Sequence, residues 1–212
     1  MFFRHKLQAK FFLLVFFFVA AFPSYAQQRG AGIVVSDHPL ATQAGTEILD
    51  RGGNAVDAAI ATGFALAVID QAASGLGGGG FMIIYEARDK RAHALDFRET
   101  APEAAHADLY VRNGKPVPSL SLTGALAVAV PGEVAGLLAA MKRFGSLPLA
   151  VLMAPAIRLA TVGFPLDTAL RYAIERQSSN MKKFPELGRV FLVKDEVPQR
   201  AKLFANPTLV KR

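Results

Sequence analysis

The sequence predicts an α/β fold on three observations. Apolar residues recur at helical spacing over residues 39–69, with capping residues at both ends of each run. A glycine-rich loop then leads into Phe81-Met82-Ile83-Ile84-Tyr85, whose return, Ala92 to Arg98, alternates apolar and polar residues as a hairpin does. Beyond Pro102 the pattern is mostly helical again, punctuated by glycine and proline.

In chain order, Gly32-Ile33-Val34-Val35-Ser36 reads as a short buried strand. His38-Pro39 opens a helix, because proline at the first helical position gives up an N–H that has no partner there anyway. Leu40, Ala44 and Ile48 supply the apolar face of that helix, and Gly52-Gly53 ends it. Asn54 is a good N-cap for a second helix, and Asp57 places a carboxylate near its positive end. That helix, Ala55 to about Ile69, is apolar on nearly every face, so it should be buried. Ala87 to Arg91 makes the polar turn of the hairpin. Further helices are expected over Gly132 to Phe144, Pro148 to Val162 and Asp167 to Ser178, with Pro155 dividing the middle one. Asn206-Pro207 reads as the start of another helix.

The N-terminus has the layout of an export signal. Arg4, Lys6 and Lys10 form a basic region, and Phe11 to Phe22 is an unbroken run of twelve apolar residues. Ser24-Tyr25-Ala26 then makes a small-x-small cleavage site before Gln27. A spanning helix needs about 20 apolar residues, so the run predicts cleavage rather than a stable membrane span. The expected organisation is a signal over residues 1–26 and one region over residues 27–212, delivered to the periplasm or secreted. Removing the signal lowers the formal net charge from +7 to +4. The remaining basic residues form only short pairs such as Lys182-Lys183, with no nucleic-acid motif behind them. With no cysteine, the exported chain depends on packing rather than disulfides. The four histidines lack paired ligand spacing, so no metal site is expected.

Gly75, Gly77 and Gly80 fit G-x-G-x-x-G, and Asp96 lies downstream where a ribose ligand would be sought. A dinucleotide site needs a strand before the loop and a helix after it, so that pyrophosphate meets the helix N-terminus. Here the order is inverted, and no Lys-Ser/Thr follows to make a P-loop. Ser74 is not a nucleophile elbow either, because Ala72 stands where glycine is required. The glycines predict a tight passage of backbone past a packed neighbour, with contact to a ligand as the alternative.

Gly52-Gly53-Asn54-Ala55-Val56-Asp57-Ala58-Ala59, Ser74-Gly75-Leu76-Gly77-Gly78-Gly79-Gly80-Phe81 and Asp96-Phe97-Arg98-Glu99-Thr100-Ala101-Pro102 resemble gamma-glutamyltranspeptidases, also called glutathione hydrolases. Val130-Pro131-Gly132-Glu133-Val134-Ala135-Gly136, Leu152 to Ala160 and Gly163-Phe164-Pro165 continue the resemblance in the same order. One departure is Gln71, where the family usually carries proline.

The resemblance implies an N-terminal-nucleophile hydrolase fold, a four-layer αββα sandwich, of which this chain holds only the N-terminal portion. It implies a precursor that cuts itself into large and small subunits. The new N-terminal threonine of the small subunit takes the γ-glutamyl group from glutathione, or another γ-glutamyl donor, and passes it to water or an amino acid. No cofactor is implied. The nucleophile and oxyanion donors would lie beyond Arg212, so no catalytic residue transfers to this chain. One binding residue does: Arg98 matches the family arginine that grips the α-carboxylate of the γ-glutamyl group. By alternation, Leu95 and Phe97 face one way while Asp96 and Arg98 face the other. The residues alone favour an ordinary pair of Arg98 with Asp96 or Glu99; the resemblance favours the ligand. Asp96, Glu99, Ser74 and Thr123 are expected to be structural. The alternatives are a cephalosporin-acylase-like fragment on the same scaffold and a non-catalytic relic of a split gene.

Overall fold

The computed structural model describes residues 32–199 and 203–205. The export signal and the helix expected at Asn206-Pro207 fall outside the described residues.

Helix α1, Pro39–Asp50, starts where His38 Nδ1 accepts from the Leu40 N–H at 3.1 Å. With Nδ1 accepting, the ring proton sits on Nε2, which faces Asp167 Oδ2 at 3.4 Å. Helix α2, Ala55–Ile69, opens with a capping box: Asn54 Oδ1 accepts from Val56 and Asp57 N–H, and the Asp57 carboxylate accepts from Asn54 N–H. Its all-round apolar surface is explained by its position. It packs against α1, against α3 (Glu133–Phe144) and against α4 (Leu149–Val162). Ile60, Ala61 and Ala65 are wholly buried at the centre of the core. Ala55 and Ala59 stay exposed, on the side of a cleft of about 490 Å³ between α2 and residues 32–37.

Strand β1, Phe81–Glu86, pairs antiparallel with β2, Arg91–Asp96, in the register Phe81↔Asp96 to Glu86↔Arg91. Only one face of the hairpin packs against the core, through Met82, Ile84 and Leu95. Phe81, Ile83 and Tyr85 are all exposed, because strand side chains alternate and no element covers their face among the described residues.

Four expectations change. Gly32 to Ser36 joins no ladder among the described residues, and Ile33 and Val35 are exposed; a segment without a hydrogen-bonded neighbour is not a strand. The stretch from Pro102 to Pro131 is not helical. It holds a small hairpin, β3 (Val111–Arg112) with β4 (Lys115–Pro116), and two short 3₁₀ turns. Asn113 and Gly114 turn that hairpin with φ of 51° and 72°, the Asn-Gly signature of a two-residue loop. Pro155 does not divide α4. It is fully buried with Leu152, Ala156 and Ala160 on the face that meets α2, and this packing holds the helix continuous despite the missing N–H. Helix α5 runs Thr168–Lys183, past the expected end at Ser178, because buried Met181 extends the face begun by Leu170 and Ile174.

A further short helix, α6 (Pro185–Phe191), was not foreseen. Strand β5 (Phe164–Pro165) pairs with β6 (Leu203–Phe204). The strands of the described residues thus form three separate two-stranded ribbons within a mixed α/β arrangement. No helix among them is long and apolar enough to cross a membrane.

Candidate functional site

The hairpin continues one residue beyond β2. Gly80 and Phe97 exchange backbone hydrogen bonds at 3.0 and 3.4 Å. Three residues later Thr100 and Val130 do the same at 2.9 and 3.2 Å. Arg98 is held between these two anchors. Burial alternates as the sequence predicted: His93, Leu95, Phe97 and Glu99 are partly buried, while Ala94, Asp96 and Arg98 are exposed.

The glycine loop is a structural passage. None of its glycines has positive φ among the described residues; Gly79 and Gly80 provide room, while a Cβ on Gly75 or Gly77 would meet nothing. A Cβ on Gly79 would come within 2.6 Å of the Glu99 backbone nitrogen, and one on Gly80 within 3.1 Å of Phe97 Cε2. The loop also closes the N-terminus of α3, where Gly78 carbonyl oxygen accepts from Gly132 and Glu133 N–H at 2.9 and 3.0 Å. Those N–H groups would be the donors of an anion site, and here a carbonyl occupies them. The dinucleotide reading fails on this contact.

Arg98 carries a side chain that is 62% exposed. Its backbone N–H donates to Asp96 Oδ1 at 3.0 Å, and its Nε lies 3.8 Å from Glu99 Oε2. So loose and exposed an ion pair contributes little. Among the described residues the guanidinium makes no side-chain hydrogen bond, so its planar fork is free for a carboxylate. Glu99 Oε2 is buried and has no hydrogen-bond partner among the described residues. Burial and then the nearby Glu99 charge raise the Glu133 carboxyl above its ordinary value. Sequence reasoning took Glu99 as structural, a possible pair for Arg98, and gave Glu133 no role of its own. The Gly132–Gly136 spacing, which clears one face of a helix, was the available signal that this corner is tightly packed.

No nucleophile with a base is assembled among the described residues. His93 is engaged by Glu86 at 2.6 Å and Arg143 at 3.3 Å, and His38 by Leu40 and Asp167. The Ser146 hydroxyl donates to Asp57, and neither Ser74 nor Thr123 meets a histidine. Asp70 lies near Asp37 and Asp167; burial first, then those like charges, raise its carboxyl, with His38 opposing. No group of histidine and acidic residues among the described residues could hold a metal ion. The arrangement around Arg98 can bind and orient a carboxylate.

The sequence profile described as Gamma-glutamyltranspeptidase matches residues 41–212. The chain belongs to this family. Among its relatives is the glutathione hydrolase proenzyme of Bacillus subtilis (strain 168), 42% identical over 154 residues, which cover 72% of this chain and 26% of the relative. The crystal structure of Helicobacter pylori gamma-glutamyltranspeptidase matches with a TM-score of 0.83 at 40% identity, over 86% of this chain and 52% of that one. A cephalosporin acylase from Bacillus halodurans also matches, with a TM-score of 0.71 at 30% identity, over 80% of this chain and 32% of the acylase. The chain spans about a quarter of the length of the curated relatives it matches.

Proposed function

We propose that this chain is the N-terminal part of the large subunit of an exported gamma-glutamyltranspeptidase, and that Arg98 holds the α-carboxylate of the γ-glutamyl donor. The observation that carries the reading is the exposed Arg98 guanidinium, left without a close partner on a backbone anchored at both ends. The relatives' name, glutathione hydrolase, makes glutathione the donor class. In the assembled enzyme the chain forms part of the αββα sandwich, and a threonine at the new N-terminus of the small subunit is the nucleophile. Its oxygen attacks the γ-carbonyl, the donor's amine leaves with a proton, and water or an amino acid then takes the γ-glutamyl group. A threonine hydroxyl needs an adjacent amine to accept its proton, and the N-terminal amine supplies one. Arg98 fixes the donor so that this carbonyl meets the nucleophile. The chemistry needs no cofactor or metal.

The test is activity with and without the remainder of a precursor. The chain alone is expected to show no turnover of a chromogenic γ-glutamyl amide, since binding without nucleophile or oxyanion donors leaves the barrier unchanged. Joined to a small subunit led by threonine, it is expected to turn over. Activity of the purified chain alone would overturn the division of labour.

The likeness to a cephalosporin acylase favours a second reading, an acylase acting on a related amide. Preference of the assembled enzyme for a cephalosporin side-chain amide over γ-glutamyl amides would establish it. Export is proposed from Met1 to Ala26. N-terminal sequencing of material from outside the cytoplasm is expected to begin at Gln27, and an intact Met1 in a membrane fraction would indicate an anchor instead.

A further inference from the structure

We propose that four glycines from two distant segments, Gly79, Gly80, Gly132 and Gly136, act as positioning residues that seat Phe97 and thereby place the Arg98 guanidinium for the donor carboxylate. The inference rests on the reading of Arg98 as the carboxylate ligand.

Each glycine meets the same short stretch of chain. A Cβ on Gly79 would lie 2.8 Å from Glu99 Oε2, besides its approach to the Glu99 nitrogen. One on Gly132 would lie 2.8 Å from the Phe97 carbonyl carbon and 3.2 Å from Arg98 oxygen. One on Gly136 would lie 2.5 Å from Phe97 Cδ1, and one on Gly80 3.1 Å from Phe97 Cε2. Separations under about 3 Å cannot persist for carbon, so every such methyl forces this stretch to move. The grip falls wholly on the inward side of residues 97–99. Arg98 is the member whose side chain leaves on the other face, with its neighbours Phe97 and Glu99 held. Glu99 Oε2, buried against Gly79 and without a hydrogen-bond partner among the described residues, sits 3.8 Å from Arg98 Nε. Recognition by a planar fork demands placement within about 0.5 Å, which a loop secured only by its own turns does not provide. Packing alone would explain one close approach. Four, all on the residues flanking one exposed arginine, point to a device that sets where that arginine stands.

The experiment uses the assembled enzyme and reads donor KM and kcat separately, in the parent and in an Arg98→Ala background. Gly136→Ala is expected to raise the KM of an α-carboxylate donor about tenfold, as forfeiting much of the charge-assisted Arg98 contact would. Gly80→Ala presses only on the far edge of the ring and is expected to raise it about threefold, with kcat within about twofold of the parent in both. Phe97→Leu lacks the Cε2 and Cζ atoms that the new methyl of Gly80→Ala meets, so the double variant is expected to return toward the parent KM. In the Arg98→Ala background neither glycine change should raise KM further. If Gly136→Ala does not fold, Gly80→Ala and its Phe97→Leu partner carry the test. An equal KM rise with Arg98 absent, or a fall in kcat with KM unchanged, would overturn the inference, as would unchanged KM in both glycine variants while Arg98→Ala raises it. If Arg98→Ala itself leaves KM unchanged, the carboxylate reading fails and takes this inference with it.

Discussion

Asp57→Ala is expected to destabilise the fold by about 1.5–3 kcal/mol, the contribution of hydrogen bonds to a charged group. Asp57 is 0% exposed, and its carboxylate accepts from four groups. The Ser146 N–H and hydroxyl donate at 3.0 and 2.5 Å, the Leu147 N–H at 3.3 Å and the Asn54 N–H at 2.9 Å. Alanine would take the shared acceptor from four part-buried donors, and water would have to replace it. The loss is a large share of the roughly 5–15 kcal/mol that holds a typical domain together. Asp57→Asn should recover little, because its NH₂ must face donors on one side. Ser146→Ala, which removes only the hydroxyl, should cost about 1 kcal/mol. Urea unfolding of the three variants in the same assembled protein is the measurement. An Asp57→Ala midpoint equal to that of Ser146→Ala would show that the backbone donors find water and that the network is dispensable.

Arg98→Ala in the assembled enzyme is expected to raise donor KM roughly ten- to a hundredfold, since charge-assisted hydrogen bonds contribute about 1.5–3 kcal/mol. Arg98→Lys should recover part of the loss, because an ammonium supplies charge without the bidentate fork. Self-cleavage of the precursor should continue, as the substrate carboxylate takes no part in it. The deciding comparison is between donors that keep and lack the α-carboxylate. Equal loss for both would make Arg98 a structural partner of Glu99, whose Oε2 already stands 3.8 Å away.

Some of this was written locally. The caps at His38, Asn54 and Asp167 and the starts of α1, α2 and α5 follow from donors within three residues of each acceptor. The outward direction of Arg98 follows from strand alternation, which depends only on its neighbours. What the sequence lacked was the other side of each contact. Asp57 reads as a helix-dipole residue until Ser146, 89 positions away, turns out to be its partner. The glycine loop resembles a phosphate cradle by spacing, and only the approach of α3 shows Gly78 capping a helix instead. Gly32 to Ser36 has strand composition but no ladder, and Pro155 has a breaker's chemistry but a buried face that outweighs it. Backbone hydrogen bonds within one turn and side-chain periodicity are properties of a short segment, so residue order alone determined them. Which carbonyl fills a helix end, which ring fills a glycine gap and which amides share a buried carboxylate depend on segments brought together from 17 to 90 positions apart. Those pairings follow from packing, which acts through space, so only the tertiary structure decided them.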